Sequence, residues 1–373
     1  NTTALNKKLR FTFELFRHGA RSPISLTKEK IDIFKNHWKG EGELTPVGMR
    51  QHFLLGYRNK KYFEEKKFNI EKFNPQEIII RSTVLNRTIE SAYSQLTGFF
   101  PPGTGETLTD GQIKNGHPPF QNFNFSEEIQ NLKNFALPEN SNVFPIDNIL
   151  HTEKYFYLHE HTVCKGVNNL YKNRNSFVEF LNFKKNFQEK NLGKIYKIIN
   201  KTPEEFNLND YDNCHDLYDS FMCGYFDGRK FEEILKNEMT LEEFKSIADE
   251  FLYVDTFYGS VPGEKIGLIA MSPLMKTILG KMESRINIDN NNKNNDIYNS
   301  DNPKMYMISG HDTDIGSLMH FMKHVFNTDL IYPEFAASVY FELEYDDNDN
   351  ENNKYYSDLN RWTVTFLFNE NKI

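Results

Sequence analysis

Apolar positions in this chain gather into short runs, and three of these runs end in charged chemistry. Phe11-Thr12-Phe13-Glu14-Leu15-Phe16 leads into Arg17 and His18. Glu77-Ile78-Ile79-Ile80 leads into Arg81-Ser82-Thr83, and Lys304-Met305-Tyr306-Met307-Ile308 passes through Ser309-Gly310 into His311-Asp312. Apolar runs of this length with polar borders predict strands. Helical spacing follows them. Thr45 and Pro46 form an N-cap and first-turn pair that opens a helix running through Gly56. Val84, Leu85, Thr88, Ile89, Ala92, Tyr93, Leu96 and Phe99 recur at helical spacing until Pro101-Pro102 stops them. A third helix covers parts of 266–282, with Pro273 as a kink or a boundary. Strands alternating with helices predict an α/β sheet, in which ligands bind outside the carboxyl ends of the strands. Polar residues delivered at that end by three strands would converge on one pocket.

Residues 125–258 lack strand alternation and are rich in Lys, Glu, Asn and aromatic residues. They read as a mainly helical cap inserted into a core built from 1–124 and 259–373. The Asn/Asp-rich tracts 286–301 and 346–353 read as exposed loops. Residues 337–344 and 362–368 alternate well, predicting an antiparallel pair at a sheet edge and hence a mixed, mainly parallel sheet.

At 373 residues the chain can bury a large core. Its net charge of -8 argues against a nucleic-acid partner, and any anion site must gather its cations locally. No uninterrupted apolar stretch of about 18 residues predicts a membrane span. Cys164, Cys214 and Cys223 cannot make a full disulfide framework. Cys214 and Cys223 would lie on opposite faces of a helix over 211–224, which leaves open one bridge plus one free thiol. The start at Asn1 and the sequons at Asn1, Asn86, Asn124 and Asn200 fit a secreted or lysosomal glycoprotein. Asn86 stands apart because it falls in a predicted helix against the pocket.

The run Arg17-His18-Gly19-Ala20-Arg21-Ser22-Pro23 sets two guanidinium groups around one imidazole at the end of a strand. Guanidinium binds phosphate oxygens through a bidentate fork, and an imidazole held between such forks can attack the phosphorus it faces. The run reads as a phosphoryl-transfer site. His52 reads as a packed or supporting histidine. His37, His151, His159, His161 and His215 show no metal-ligand spacing, and no Gly-rich phosphate loop followed by Lys is present. Neither a metal nor another cofactor is expected.

Arg17–Pro23, Gly42-Glu43-Leu44-Thr45-Pro46-Val47-Gly48-Met49-Arg50, Ile80-Arg81-Ser82-Thr83 with Arg87-Thr88, Phe100-Pro101-Pro102 and His311-Asp312-Thr313 occur in one order along the chain. In these pieces the sequence resembles the histidine acid phosphatase branch of the histidine phosphatase superfamily. The resemblance implies a phosphoglycerate mutase-like α/β fold with an inserted cap. It also implies two-step hydrolysis of a small-molecule phosphate monoester. His18 would be the nucleophile and would form a phosphohistidine. Arg17, Arg21 and Arg81 would cradle the phosphate, His311 would donate to the phosphoryl oxygens, and Asp312 would protonate the departing alcohol oxygen. The clustered arginines would keep His18 neutral and nucleophilic at acidic pH. They would also lower the pKa of Asp312, an effect that bound substrate opposes, so an acidic optimum is expected where Asp312 works as the acid.

Mutase-like members of the superfamily usually take their acid from a glutamate in the first third of the chain; the His311-Asp312 pair favours the acid phosphatase and phytase branch. Within that branch a phytase-like enzyme acting on inositol phosphates is the alternative. Asp314, in place of the neutral amide of many phytases, argues mildly against it. A catalytically silent phosphate-binding scaffold is the remaining reading. A homodimer, with an exposed edge strand as one route, is left open.

Overall fold

β1 (Lys7–Arg17) lies at the heart of a seven-stranded sheet of order β3-β2-β4-β1-β5-β6-β7. The computed structural model describes residues 7–25, 38–119, 124–149, 165–207, 211–230, 235–247, 261–291, 298–346 and 358–373. β2 (Ile78–Ser82) and β4 (Met305–Gly310) run parallel to each other and β4 parallel to β1, while β3 (Asp147–Asn148) runs parallel to β2. β5 (Ser338–Asp346), β6 (Trp362–Phe368) and β7 (Asn371–Lys372) continue antiparallel from β1. The mixed sheet and the 337–344 with 362–368 pair are as the sequence predicts. β5 is internal, however, and the edge on that side belongs to β7.

β1 is buried on both faces from Phe11 onward. Phe11, Phe13 and Leu15 pack with Met271 and Leu274 of α9 (Val261–Asn291) and with Ile315 and Leu318 of α10 (Asp312–Phe326). Burying each phenylalanine contributes about 1.5–3 kcal/mol. On the other face, Phe16 packs with Phe63 of α1 (Pro46–Glu65) and Leu96 of α2 (Asn86–Phe99). Thr12 and Glu14, on that same face, are fully buried polar residues. Thr45 caps α1 by accepting a hydrogen bond from the Gly48 N–H, and Pro46 opens the helix as expected.

The short helix α3 (Asp110–Asn115) falls in the first core segment; after it come the short helices α4 (Ser126–Leu132), α5 (Lys165–Lys172), α6 (Val178–Phe187) and α7 (Gly193–Ile199), followed by the longer α8 (Tyr211–Phe226). Phe187, Leu192, Ile195, Leu217, Phe221 and Phe244 belong to an apolar cluster separate from those on the sheet. β3 lies inside the span expected as cap. It adds a strand to the main sheet, and Ile149, Val167 and Phe180 pack into the main core. Two residues are too few for a readable alternation.

The chain at 286–291 is helical, not loop: α9 runs through Pro273 to Asn291. Ser272 Oγ donates to Leu268 O and Thr277 Oγ1 donates to Pro273 O across the region where the proline lacks an N–H. Further along, Asp289 pairs with Arg285 one turn back and accepts from Arg10 of β1 at 2.7 and 2.9 Å, anchoring an Asn/Asp-rich stretch as helix. Residues 292–297, most of the tract 346–353, Cys164, His37, His151, His159 and His161 lie outside the described residues. The Cys223 thiol is free and buried.

Candidate active site

Ladder bonds continue past the end of β1 and pin the backbone of its last residue and the one after. Arg17 N donates to Ala337 O at 2.9 Å, His18 N donates to Gly310 O at 3.0 Å, and Ala336 N donates to His18 O at 3.1 Å. The following loop then lies directly on the first turn of α1. A Cβ on Gly19 would sit 2.5 Å from Gly48 O, and one on Gly48 would sit 2.2 Å from Ala20 O, so no side chain fits at either position. Ala20 O accepts from both the N–H and the hydroxyl of Thr45, which ties the loop to the α1 cap.

His18 is 2% exposed. Its Nδ1 lies 2.9 Å from Gly19 O, and a carbonyl can only accept. The neutral ring therefore carries its proton on Nδ1 and leaves Nε2 as a free lone pair. Burial, first, and then the charges of Arg87, Arg17, His311 and Arg21 hold the imidazole well below its ordinary pKa. The sequence anticipates the arginine contribution; burial is the larger cause.

Arg17 is held by Asp312 Oδ2 at 2.7 Å and Pro333 O at 2.8 Å, with its guanidinium 4.2 Å from the ring centre of Phe335. Arg21 is clamped by Asp219 of the cap helix α8, with Nη1–Oδ2 at 2.9 Å and Nη2–Oδ1 at 2.8 Å. Arg87, in the first turn of α2, reaches Gly42 O at 3.4 Å and is destabilised by burial and by the like charge of Arg21. His311 caps α10, its ring edge facing His18 with centroids 5.4 Å apart, and its Nε2 lies 3.0 Å from Thr83 Oγ1. Asp312 is the first residue of α10, so its carboxyl sits at a helix N-terminus that favours negative charge.

The structure thus brings together Arg17, His18, Arg21, His311 and Asp312. It places Arg81 differently from the expectation. In β2, Ile78, Ile80 and Ser82 are buried on one face, and Arg81 shares the other face with Ile79. The third guanidinium acting on His18 is Arg87. The strand's parity carries the signal: a residue between Ile80 and Ser82 points away from their side. Asp314 lies directly beneath the site. It is 1% exposed and accepts the His311 N–H at 2.7 Å, so its charge serves the helix cap beneath the site. Asp219 has no motif around it; only the folded cap brings it to Arg21. His52 is buried behind the site as expected, with Nε2 3.1 Å from Arg17 O.

Three donors stand out. The buried Nε–H groups of Arg17, Arg21 and Arg87 have no hydrogen-bond partner among the described residues. Buried donors are normally paired, and three unpaired guanidinium edges around a neutral imidazole make an anion site. Among the described residues no group of three or more His, Cys, Asp or Glu side chains is placed to hold a metal. Replacing Arg87 with alanine is expected to lower kcat/KM on a phosphate ester by about 10²–10³-fold, and Arg81→Ala by less than about tenfold. Steady-state kinetics on both variants check this, and the reverse order would return the role to Arg81.

The family model described as histidine phosphatase superfamily (branch 2) matches residues 8–357. Human prostatic acid phosphatase is 42% identical over 102 residues, 27% of this chain and 25% of that protein. Lysosomal acid phosphatase of Xenopus laevis is 41% identical over 101 residues, 26% of this chain and 22% of that protein. The matched stretches thus span about a quarter of these relatives. Among solved structures, Hafnia alvei phytase in complex with myo-inositol hexakis sulphate superposes with a TM-score of 0.60 at 16% identity, covering 98% of this chain and 85% of that one. Bifidobacterium longum multiple inositol polyphosphate phosphatase with inositol hexasulfate gives 0.57 at 12% identity, covering 100% and 88%. These superpositions show the fold.

Proposed function

The chain belongs to branch 2 of the histidine phosphatase superfamily, and from that membership we propose that it is an acid phosphatase hydrolysing phosphate monoesters through His18. The observation that carries the reading is the set of unpaired Nε–H groups on Arg17, Arg21 and Arg87 around a neutral, buried imidazole. The phosphoryl oxygens of the substrate would take those donors, together with His311. His18 Nε2 then bonds to phosphorus as the ester P–O bond breaks, and Asp312 gives its proton to the departing oxygen. In the second half, water attacks the phosphohistidine, the P–N bond breaks, and the Asp312 carboxylate takes the proton of that water. Phosphate and the alcohol are the products. The transition state is anionic and spread over the phosphoryl oxygens, so preset cationic donors lower the barrier directly.

A second reading, as an inositol phosphate phosphatase, is favoured by one observation. Asp314 is buried in the α10 cap, with one carboxylate oxygen taken by the His311 N–H, and does not stand exposed on the pocket wall. The test is hydrolysis of an aryl phosphate and of inositol hexakisphosphate side by side at about pH 5, with chelator present. Aryl turnover that survives the chelator supports the acid phosphatase. Turnover of the inositol ester alone selects the second reading, and a folded protein active on neither contradicts both.

A lysosomal or secreted setting, with Asn124 and Asn200 glycosylated, completes the proposal. All three asparagines are exposed, but the Asn86 amide donates to the Glu43 carboxylate from the first turn of α2. A mass unchanged by glycosidase treatment of the native protein would remove the glycans from it. No helix among the described residues is long and apolar enough to cross a membrane.

A further inference from the structure

Behind the nucleophile, four fully buried polar side chains form a line that the proposed chemistry does not use. His52 Nε2 lies 3.1 Å from Arg17 O, the carbonyl of the peptide joining Arg17 to His18. His52 Nδ1 lies 3.1 Å from Gln95 Oε1, and Gln95 Nε2 donates to Glu14 Oε1 at 2.8 Å. Asn59 Nδ2 donates to both Glu14 oxygens, at 3.2 and 3.3 Å, and Ser338 Oγ donates to Oε1 at 3.2 Å. Asn59 cannot turn over, because its Oδ1 accepts from Tyr340 OH at 3.0 Å and from Arg58 at 3.1 Å.

Counting donors exposes a conflict. With Glu14 ionised, Gln95 must aim its amide nitrogen at the carboxylate and its oxygen at His52 Nδ1. A neutral imidazole has one N–H, and here acceptor oxygens face both of its nitrogens. The ring can satisfy Gln95 or Arg17, never both. One added proton resolves the line. On Glu14, it lets the acid donate to a turned-over Gln95, whose amide nitrogen then donates to His52 Nδ1, leaving Nε2–H for Arg17 O. On His52, it supplies the second N–H directly. Burial favours the neutral pair, pushing the Glu14 carboxyl up and the His52 imidazole down to about 4.

We propose that Glu14, Gln95 and His52 form a proton-dependent positioning relay: a single proton shared between Glu14 and His52 completes the bonds holding the Arg17–His18 peptide, and its release to solvent as pH rises breaks the bond to Arg17. The relay rests on His18 being the nucleophile. Other charged and titratable groups around Glu14 are Arg58, Tyr62 and Lys66 from α1 and Tyr340 and Glu342 from β5. Lys66 pairs with Glu342 at 2.7 Å, and Tyr62 donates to the same carboxylate. From α2 the facing group is Gln95, and from β4 the neighbours on that face are Met305 and Met307.

The test uses an aryl phosphate, whose leaving group needs little help from Asp312, so the alkaline limb of kcat reports the relay. Glu14→Gln supplies a donor to Gln95 at every pH. Gln95→Met cuts the line and frees His52 to serve Arg17 alone. In both variants the fall in kcat between about pH 5 and pH 8 is expected to be at least about tenfold smaller than in wild type. In parallel, the imidazole nitrogen signals of His52 are followed by NMR without substrate. They are expected to move with pH in wild type and to stay fixed in Glu14→Gln. A limb that persists in both variants, or a wild-type His52 signal indifferent to pH, overturns the relay. Should Glu14→Gln fail to fold, Gln95→Met and the wild-type signal decide. The NMR arm needs no turnover, so an inactive wild type counts against the phosphatase reading alone.

Discussion

Replacing His18 with alanine is expected to lower phosphate-ester turnover by at least about 10⁴-fold, because it removes the Nε2 lone pair held among the three arginines. The imidazole is held well below its ordinary pKa and is aimed by a local carbonyl. Truncating it removes a buried ring and costs stability of about 2–4 kcal/mol, a cavity effect that leaves the strand ladder intact. The guanidinium Nε–H groups remain, so the variant should still bind phosphate competitively. Circular dichroism and a phosphate-binding titration separate loss of chemistry from loss of fold. Turnover near wild type in a folded His18→Ala protein would move the chemistry to another group.

Asp312→Asn is expected to slow alkyl phosphates by about 10²–10⁴-fold and aryl phosphates by less than about tenfold. An alkoxide leaves poorly without a proton, while a phenolate leaves with little help. The substitution also removes the carboxylate that holds Arg17 at 2.7 Å. Arg17 is then freer for the substrate, and KM is expected not to rise. This split between kcat and KM distinguishes a lost acid from a disturbed pocket. Equal losses on both ester classes would place the acid elsewhere.

His18 and its strand are readable because β1 has a hydrophobic pattern that stops at Arg17 and a glycine that nothing else can replace against Gly48. The convergence of the β1 and β4 ends with the segment after β2 follows from parallel pairing, which puts their carboxyl ends on one side. Arg81 misleads because proximity in sequence to Ser82 and Thr83 hides the two-residue period, which turns it to the opposite face from Ser82. Asp219 is unreadable for another reason: it reaches Arg21 across 198 residues, and a lone aspartate on a cap helix has no local signature. Composition also misleads at 286–291. Asn and Asp favour loops in isolation, yet the Arg10 and Arg285 pairings of Asp289 stabilise helix there. Glu14 is a polar position inside an apolar run, and its hydrogen-bond partners Asn59, Gln95 and Ser338 come from distant α1, α2 and β5.

The most direct test of His18 as the covalent nucleophile is to quench the protein during turnover of a labelled phosphate monoester and locate the phosphoryl group by peptide mass spectrometry. An acid-labile, base-stable phosphoryl group on His18 Nε2 is the expected result, absent from His18→Ala and accumulating most with aryl esters. Robust turnover with the label on another residue, or single-step transfer to water with no labelled protein at any quench time, would contradict it.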